Sequence, residues 1–239
     1  MLSQSDIVSI RTFEKGSTLV VNGDSFMING MNWDMIPIGK DAVNTNFWNK
    51  PDELIKAGLE SEMSLLKQMN VNAIRHYSDI PSKWVQYIFE NYGIYTMLNH
   101  SFGRYGLTIN GVWEPITDYS NDDTQKVLLS EIETLVNKYK NTPGLLLYLL
   151  GNENNYGLFW SGAETEDFPE EESKKKAVGE KYGRPMYKLM NLAAKKIKEL
   201  DSNHPVAICN GDDLFIDIVA EECRDIDIFG VNSYRGASF

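Results

Sequence analysis

The sequence predicts an α/β fold of the (β/α)8 barrel type, carried as far as its sixth strand. Three observations lead there. Short apolar runs alternate with helix-period segments along most of the chain. The clearest run, Leu145 to Leu150 (LLLYLL), is bounded by Pro143-Gly144 and Gly151, which suits a strand buried on both faces. A helix precedes each strand after the first, which implies parallel pairing through right-handed crossovers. The strands also end in polar and aromatic groups. The first runs into Asn32-Trp33-Asp34 with neither a GxGxxG nor a GxxxxGK[ST] nearby, unlike a doubly wound nucleotide-binding sheet. In a barrel these ends converge on the carboxyl-end face, where barrel enzymes keep their chemistry.

In chain order, residues 7–32 read as β structure: Ile7 to Phe13, Thr18 to Val21, and Phe26 to Asn32 after Asn22-Gly23-Asp24. Asn-Gly between apolar runs signals a hairpin, because both turn residues need positive φ. Residues 1–26 are therefore expected to form an N-terminal β-hairpin segment, and 27–239 a barrel domain holding strands one to six. A loop over 34–52 leads to a helix at 53–69, with Leu54, Leu59, Met63, Leu66 and Met69 at helical spacing, and then to strand two, Asn72 to His76. Pro81 opens a helix that Gly93 ends, and Ile94 to Leu98 is strand three. A loop with several glycines and Trp113 precedes an amphipathic helix at 122–140. Strand four is the LLLYLL run. The polar segment 154–184 reads as a solvated loop or exposed helix. Pro185 to Leu200 is helical, Pro205 to Cys209 is strand five, 213–222 a short helix, and Ile226 to Val231 strand six.

The 239 residues are enough for one large domain with a substantial core. A formal charge of −11 argues against a nucleic-acid partner, since no basic patch is available to displace phosphate counterions, and a neutral ligand is the easiest fit. Cys209 and Cys223 have neither metal-ligand nor CxxC spacing, and the 3 histidines form no HExxH-like cluster, so neither metal nor other cofactor is expected. The opening MLSQSDIVSI lacks the pattern of a signal peptide, and no run reaches the length of a membrane span, so no membrane partner is expected. Location stays open: extracellular or periplasmic if a leader was removed, otherwise cytoplasmic.

The candidate site is the set of strand ends: Asn32 and Trp33, Arg75 and His76, Asn99 and His100, Asn152 and Glu153, Asn210 and Asp212, Asn232 and Tyr234. Amides satisfy sugar hydroxyls in both donor and acceptor senses, and aromatic rings stack on the apolar face of a sugar. Trp33, Trp113, Tyr156 and Trp160 are the stacking candidates, with packing beneath loops as the competing role. Arg75 could hold a nearby carboxylate ionised. At the end of an apolar strand, desolvation disfavours an ionised carboxylate, so Glu153 is placed to act as a general acid; capping the next helix is its ordinary alternative.

At these residues the chain resembles the clan of retaining β-glycosidases built on (β/α)8 barrels. GNEN at 151–154 is similar to that clan's Asn-Glu motif. VNGDSFMINGMNW resembles the entry into the glycoside hydrolase family 2 barrel domain, and NVNAIRHYSDIP with YGIYTMLNH resembles its second and third strands. The same region is similar to the β-1,3-glucanosyltransferases of family 72. The likeness covers about 17–235. It implies that Glu153 is the acid/base, that Asn152 binds the sugar hydroxyl beside the anomeric carbon, that Arg75 lies near the nucleophile and that Tyr234 touches it. Asn99, His100, Trp33, Tyr156 and Trp160 complete the expected carbohydrate-binding set.

Retaining chemistry needs two carboxyl groups about 5–5.5 Å apart. The resemblance puts the nucleophile at the end of strand seven, and strands seven and eight are absent. Glu164, Glu166 and Glu221 match no nucleophile motif. The expectation is thus an N-terminal fragment of a retaining β-glycoside hydrolase, inactive by itself, with exposed edges on strands one and six that invite self-association. A non-catalytic carbohydrate-binding barrel and a transglycosylase are the alternatives.

Overall fold

The computed structural model describes residues 5–36, 46–77, 79–159 and 171–234. The chain divides into two compact units, Met1–Asn99 with Lys138–Leu147, and His100–Asn137 with Tyr148–Phe239.

The first unit opens with an antiparallel sheet of β1 (Val8–Phe13), β2 (Gly16–Val21) and β3 (Asp24–Phe26). Asn22 and Gly23, at φ 50° and 96°, make the turn between the last two, as an Asn-Gly hairpin requires. The expected long strand Phe26 to Asn32 is instead broken at residues 27–29. The Asn72 carboxamide takes the Asn29 N–H at 2.8 Å and donates to the Met27 carbonyl at 2.8 Å, so a side chain replaces the ladder there. The parallel series then starts with β4 (Gly30–Asn32) and continues through α1 (Asp52–Gln68), β5 (Ala73–His76), α2 (Ser82–Tyr92) and β6 (Tyr95–His100). Ile55, Leu59 and Met63 of α1 and Val85 and Ile88 of α2 are buried, whereas Leu54 and Met69 fall on the exposed side of their helical period. Gly93 closes α2 in the left-handed region at φ 69°, donating its N–H to the Phe89 carbonyl at 2.8 Å.

In the second unit, the stretch expected to be a loop contains a second hairpin, β7 (Leu107–Ile109) and β8 (Val112–Glu114). Its turn is Asn110-Gly111, at φ 50° and 81°, the same chemistry as the first. Helix α3 (Asp122–Tyr139) precedes β9 (Leu145–Leu150). Within the polar segment, the described residues form α4 (Glu172–Val178) and a π-helical turn, Gly179–Gly183, which run directly into α5 (Arg184–Leu200). The ring of Phe215 takes the space a Cβ would need at Gly179, 2.7 Å away. β10 (Val206–Asn210), α6 (Ile216–Glu222) and β11 (Ile228–Val231) follow.

The six-stranded sheet has the order β11-β10-β9-β6-β5-β4, and its registered pairs are parallel. This is the strand series of a (β/α)8 barrel through its sixth strand, with β9 as barrel strand four. Every residue of β5, β9 and β10 is buried, while β4 and β11, at the ends of the order, are not. A strand covered on both faces reads as a continuous apolar run, which explains LLLYLL.

The one polar group within β9 is the Tyr148 hydroxyl, and it meets a dedicated partner. It donates to Asp201 Oδ2 at 2.8 Å, an oxygen also bonded by His204 Nδ1 at 2.8 Å, while Asp201 Oδ1 accepts the Asn203 N–H at 2.9 Å. Burial pushes the Asp201 carboxyl up, but the bonds from His204, Asn203 and Tyr148 outweigh it and hold it below its ordinary value. A depressed folded-state value stabilises the fold above the unfolded value, about 3.9, and that stability is lost as pH falls through the folded value. Asp201→Asn is expected to cost about 2 kcal/mol at neutral pH, because buried donors lose their acceptor. In urea unfolding the gap from wild type should narrow below about pH 4; a gap independent of pH would contradict this account.

Candidate active site

β9 ends at Gly151, whose φ of 80° is open to glycine, and its N–H donates to the His100 carbonyl at 2.8 Å. A Cβ at Gly151 would lie 2.4 Å from Asn154 Oδ1, so the Asn154 carboxamide occupies the room that glycine leaves. That buried amide organises the turn. Its Oδ1 accepts the Asn152 N–H at 2.8 Å; its Nδ2 donates to the carbonyls of Ser101 and Phe102 at 3.1 and 3.0 Å and meets the Tyr119 hydroxyl at 3.1 Å. Burial raises the Tyr119 hydroxyl well above the usual phenol range, against the opposing pull of Asn154 and Arg104. It therefore stays protonated and donates to the Phe102 carbonyl at 2.8 Å.

Asn154 thus presents the two preceding residues, Asn152 and Glu153, both half-buried. Glu153 sits at φ 56°, a left-handed conformation that costs a non-glycine residue about 1–3 kcal/mol and persists where the surroundings over-determine it. Those surroundings are explicit. Its N–H donates to the Cys209 carbonyl at 2.8 Å, its carbonyl accepts the Tyr156 N–H at 2.9 Å, and its Oε1 accepts Asn232 Nδ2 at 2.6 Å. The same Nδ2 lies 3.0 Å from Asn152 Oδ1. Beyond the turn, Asp212 receives Asn155 Nδ2 at 3.0 Å and the Tyr156 hydroxyl at 2.8 Å, and Asn155 Oδ1 accepts the Gly211 N–H at 3.1 Å. The Tyr156 ring lies so close over Gly211 that a Cβ there would come within 2.0 Å of it.

The other expected residues are placed as follows. In the first unit, Arg75 is buried and sets Nε and Nη2 on Asn99 Oδ1 at 2.9 and 2.6 Å, with its guanidinium 4.7 Å from the Tyr77 ring centroid. Trp33 is 7% exposed, edge-to-face with Trp48 and His76, so its ring is part of the packing. In the second unit, His100 takes the Phe102 N–H on Nδ1 at 3.1 Å and places Nε2 3.3 Å from Glu131 Oε2. Tyr234 is 86% exposed. Glu221 accepts from Arg184 at 2.8 Å. Trp160, Glu164 and Glu166 lie outside the described residues. Among the described residues, no three His, Cys, Asp or Glu side chains are grouped to hold a metal ion.

Sequence reasoning missed Asn154, and it read Asn232 and Asp212 only as polar strand ends. The asparagine run 152, 154, 155 was a usable signal, since Asn tolerates left-handed turns and bonds nearby backbone. Nothing local marked Asn232 as the partner of Glu153.

The family model of glycosyl hydrolases family 2, TIM barrel domain, matches residues 13–235. The β-galactosidase of Lactococcus lactis subsp. lactis is 30% identical over 148 residues, 60% of this chain and 13% of that enzyme. A probable 1,3-β-glucanosyltransferase of Saccharomyces cerevisiae is 32% identical over 90 residues, 36% of this chain and 16% of that protein. Among solved structures, the Parabacteroides merdae β-glucuronidase, with glycerol in its active site, superposes with a TM-score of 0.60 at 18% identity, over 96% of this chain and 23% of that one. That likeness shows the fold. The chain spans 13–16% of the length of these curated relatives.

Because Asn154 accepts the Asn152 N–H and donates to two carbonyls of the 101–102 segment, Asn154→Ala is expected to destabilise the protein by about 2–3 kcal/mol. Asn154→Asp should cost a comparable amount, since a carboxylate keeps the acceptor and loses the donors. Urea titration measures both; a loss under about 0.5 kcal/mol for the alanine variant, the range of ordinary surface changes, would show that the turn holds without this amide.

Proposed function

The chain belongs to glycosyl hydrolase family 2, within its TIM-barrel domain, and from that premise we propose that Glu153 is the acid/base of a retaining β-glycoside hydrolase acting on a neutral glycan or oligosaccharide. The observation that carries this reading is the fixed geometry of Glu153. Its backbone is held in a left-handed conformation at the end of a fully buried strand, with a half-buried carboxyl that accepts a hydrogen bond on Oε1.

The chemistry follows in two displacements. In the first, a nucleophilic carboxylate attacks the anomeric carbon while Glu153 gives its proton to the departing glycosidic oxygen. In the second, the Glu153 carboxylate takes a proton from water as that water displaces the enzyme carboxylate. Asn232 donates to Oε1, which leaves Oε2 to carry the proton. Asn152, whose Oδ1 shares the same amide donor, is read as the residue that binds the hydroxyl beside the anomeric carbon. Arg75, Tyr234, Asn99, His100, Tyr156, Trp33 and Trp160 remain the expected carbohydrate-binding set, and Asp212 anchors the Tyr156 hydroxyl at 2.8 Å. The nucleophile is assigned to a seventh strand supplied by a longer protein, in keeping with the small share of the relatives' length that this chain spans.

The likeness to a probable glucanosyltransferase supports a second reading, in which another sugar replaces water as acceptor. Product analysis with added acceptor sugar separates the two.

In the enzyme that contains this segment, Glu153→Ala should lower turnover by about 10²–10⁴ on substrates with poor leaving groups. It should have little effect on dinitrophenyl glycosides, and added azide should yield a glycosyl azide of retained configuration. Equal loss on good and poor leaving groups would remove Glu153 from the acid role. The 239-residue chain alone is expected to turn over no nitrophenyl β-glycoside; hydrolysis that disappears in Glu153→Gln would defeat that expectation. The incompletely buried end strands β4 and β11 should make the isolated chain self-associate with rising concentration in sedimentation velocity, and a monomer at all concentrations would argue against open edges.

A further inference from the structure

Cys209 acts on Glu153 from two directions. Its carbonyl accepts the Glu153 N–H at 2.8 Å. Its Sγ lies 2.9 Å from Asn232 Oδ1, on the far side of the carboxamide whose Nδ2 donates to Glu153 Oε1 and Asn152 Oδ1. The thiol is buried, and Gly230, its partner in the β10–β11 register, presents no side chain against it.

A carboxamide is nearly symmetric in shape and opposite in polarity at its two ends. Turned one way, Asn232 offers N–H groups to Glu153 and favours the carboxylate. Turned the other way, it offers oxygen and favours the protonated acid. The group behind the amide is one of the contacts that bear on the choice. A thiol pointing its S–H at Oδ1 donates to it, whereas facing an NH2 group it offers only a weak acceptor. The Asn152 oxygen, 3.0 Å from Nδ2, favours the same orientation.

We propose that Cys209 is a positioning residue whose thiol fixes the Asn232 carboxamide with its N–H groups toward Glu153 and Asn152. Cys209 touches no substrate and forms no covalent bond in the reaction. Its effect is to keep Glu153 Oε1 committed as an acceptor, so that the proton is carried by Oε2. This deepens the acid/base reading of Glu153 and rests on it for its catalytic meaning.

The test needs no turnover. In the 239-residue chain labelled with ¹³C-glutamate, the Glu153 Cδ resonance, identified by its loss in Glu153→Gln, is followed against pH. Cys209→Ala is expected to move the midpoint of that resonance upward by about half to one pH unit, the effect of one net hydrogen bond to the carboxylate. Cys209→Val, which fills the volume without a donor, should do the same if the alanine cavity unfolds the strand. Cys209→Ser restores a donor and should keep the wild-type midpoint. A folded Ala or Val variant that titrates with the wild type overturns the proposal, as does a Ser variant with the midpoint displaced upward. Failure of the Glu153 leaving-group test, with the Cys209 shifts observed, would remove the acid role and leave the orientation of Asn232 standing.

Discussion

A strand covered on both faces has no side chain to offer the solvent along its length, so its chemistry is confined to the point where it stops. For β9 that point is also a backbone problem: the chain must turn while still shielded from water, and each N–H and carbonyl needs a partner. The Asn154 carboxamide solves it, joining the strand end to the carbonyls of Ser101 and Phe102 and to the Tyr119 hydroxyl. Glycine at 151 is the condition for that amide to fit. The left-handed backbone of Glu153 follows directly, held by bonds to Cys209 and Tyr156, with Asn232 on its carboxyl.

The surroundings of Glu153 are built largely from neutral amides. Asn152, Asn154, Asn155 and Asn232 all bond within the same region, each with a donor and an acceptor end. Amides can order a carboxyl without fixing its charge through an opposing cation. Among the other strand-end residues, Arg75 bonds Asn99 in the first unit, and His100 meets Glu131 in the second. Asp212 serves the turn by holding Asn155 and Tyr156.

The departures from sequence reasoning have two causes. Asn22-Gly23 and Asn110-Gly111 carry the same turn chemistry, but the second lies among glycines and polar residues without long apolar flanks, so its short strands gave no alternation to read. The strand expected across 27–29 is interrupted by the side chain of Asn72, more than 40 positions away in sequence (|i−j| 43 and 45). At the π turn, Gly179–Gly183, the ring of Phe215, 36 positions beyond Gly179, takes the space a Cβ at Gly179 would need. In each case a distant side chain, or the lack of a strong local period, outweighed local propensity.

The sequence by itself determined the alternation of helices and parallel strands, the complete burial of Leu145 to Leu150, the turn at Gly151 and membership of the glycosyl hydrolase family 2 barrel, because periodicity, turn residues and motif order are local properties of a chain. Only the tertiary structure decided the partners. Asn232 reaches Glu153 across 79 positions, and the Trp33 ring meets Trp48 and His76 edge-to-face. Those outcomes depend on strand register and on which elements meet, and a residue's own neighbours in sequence carry no record of either.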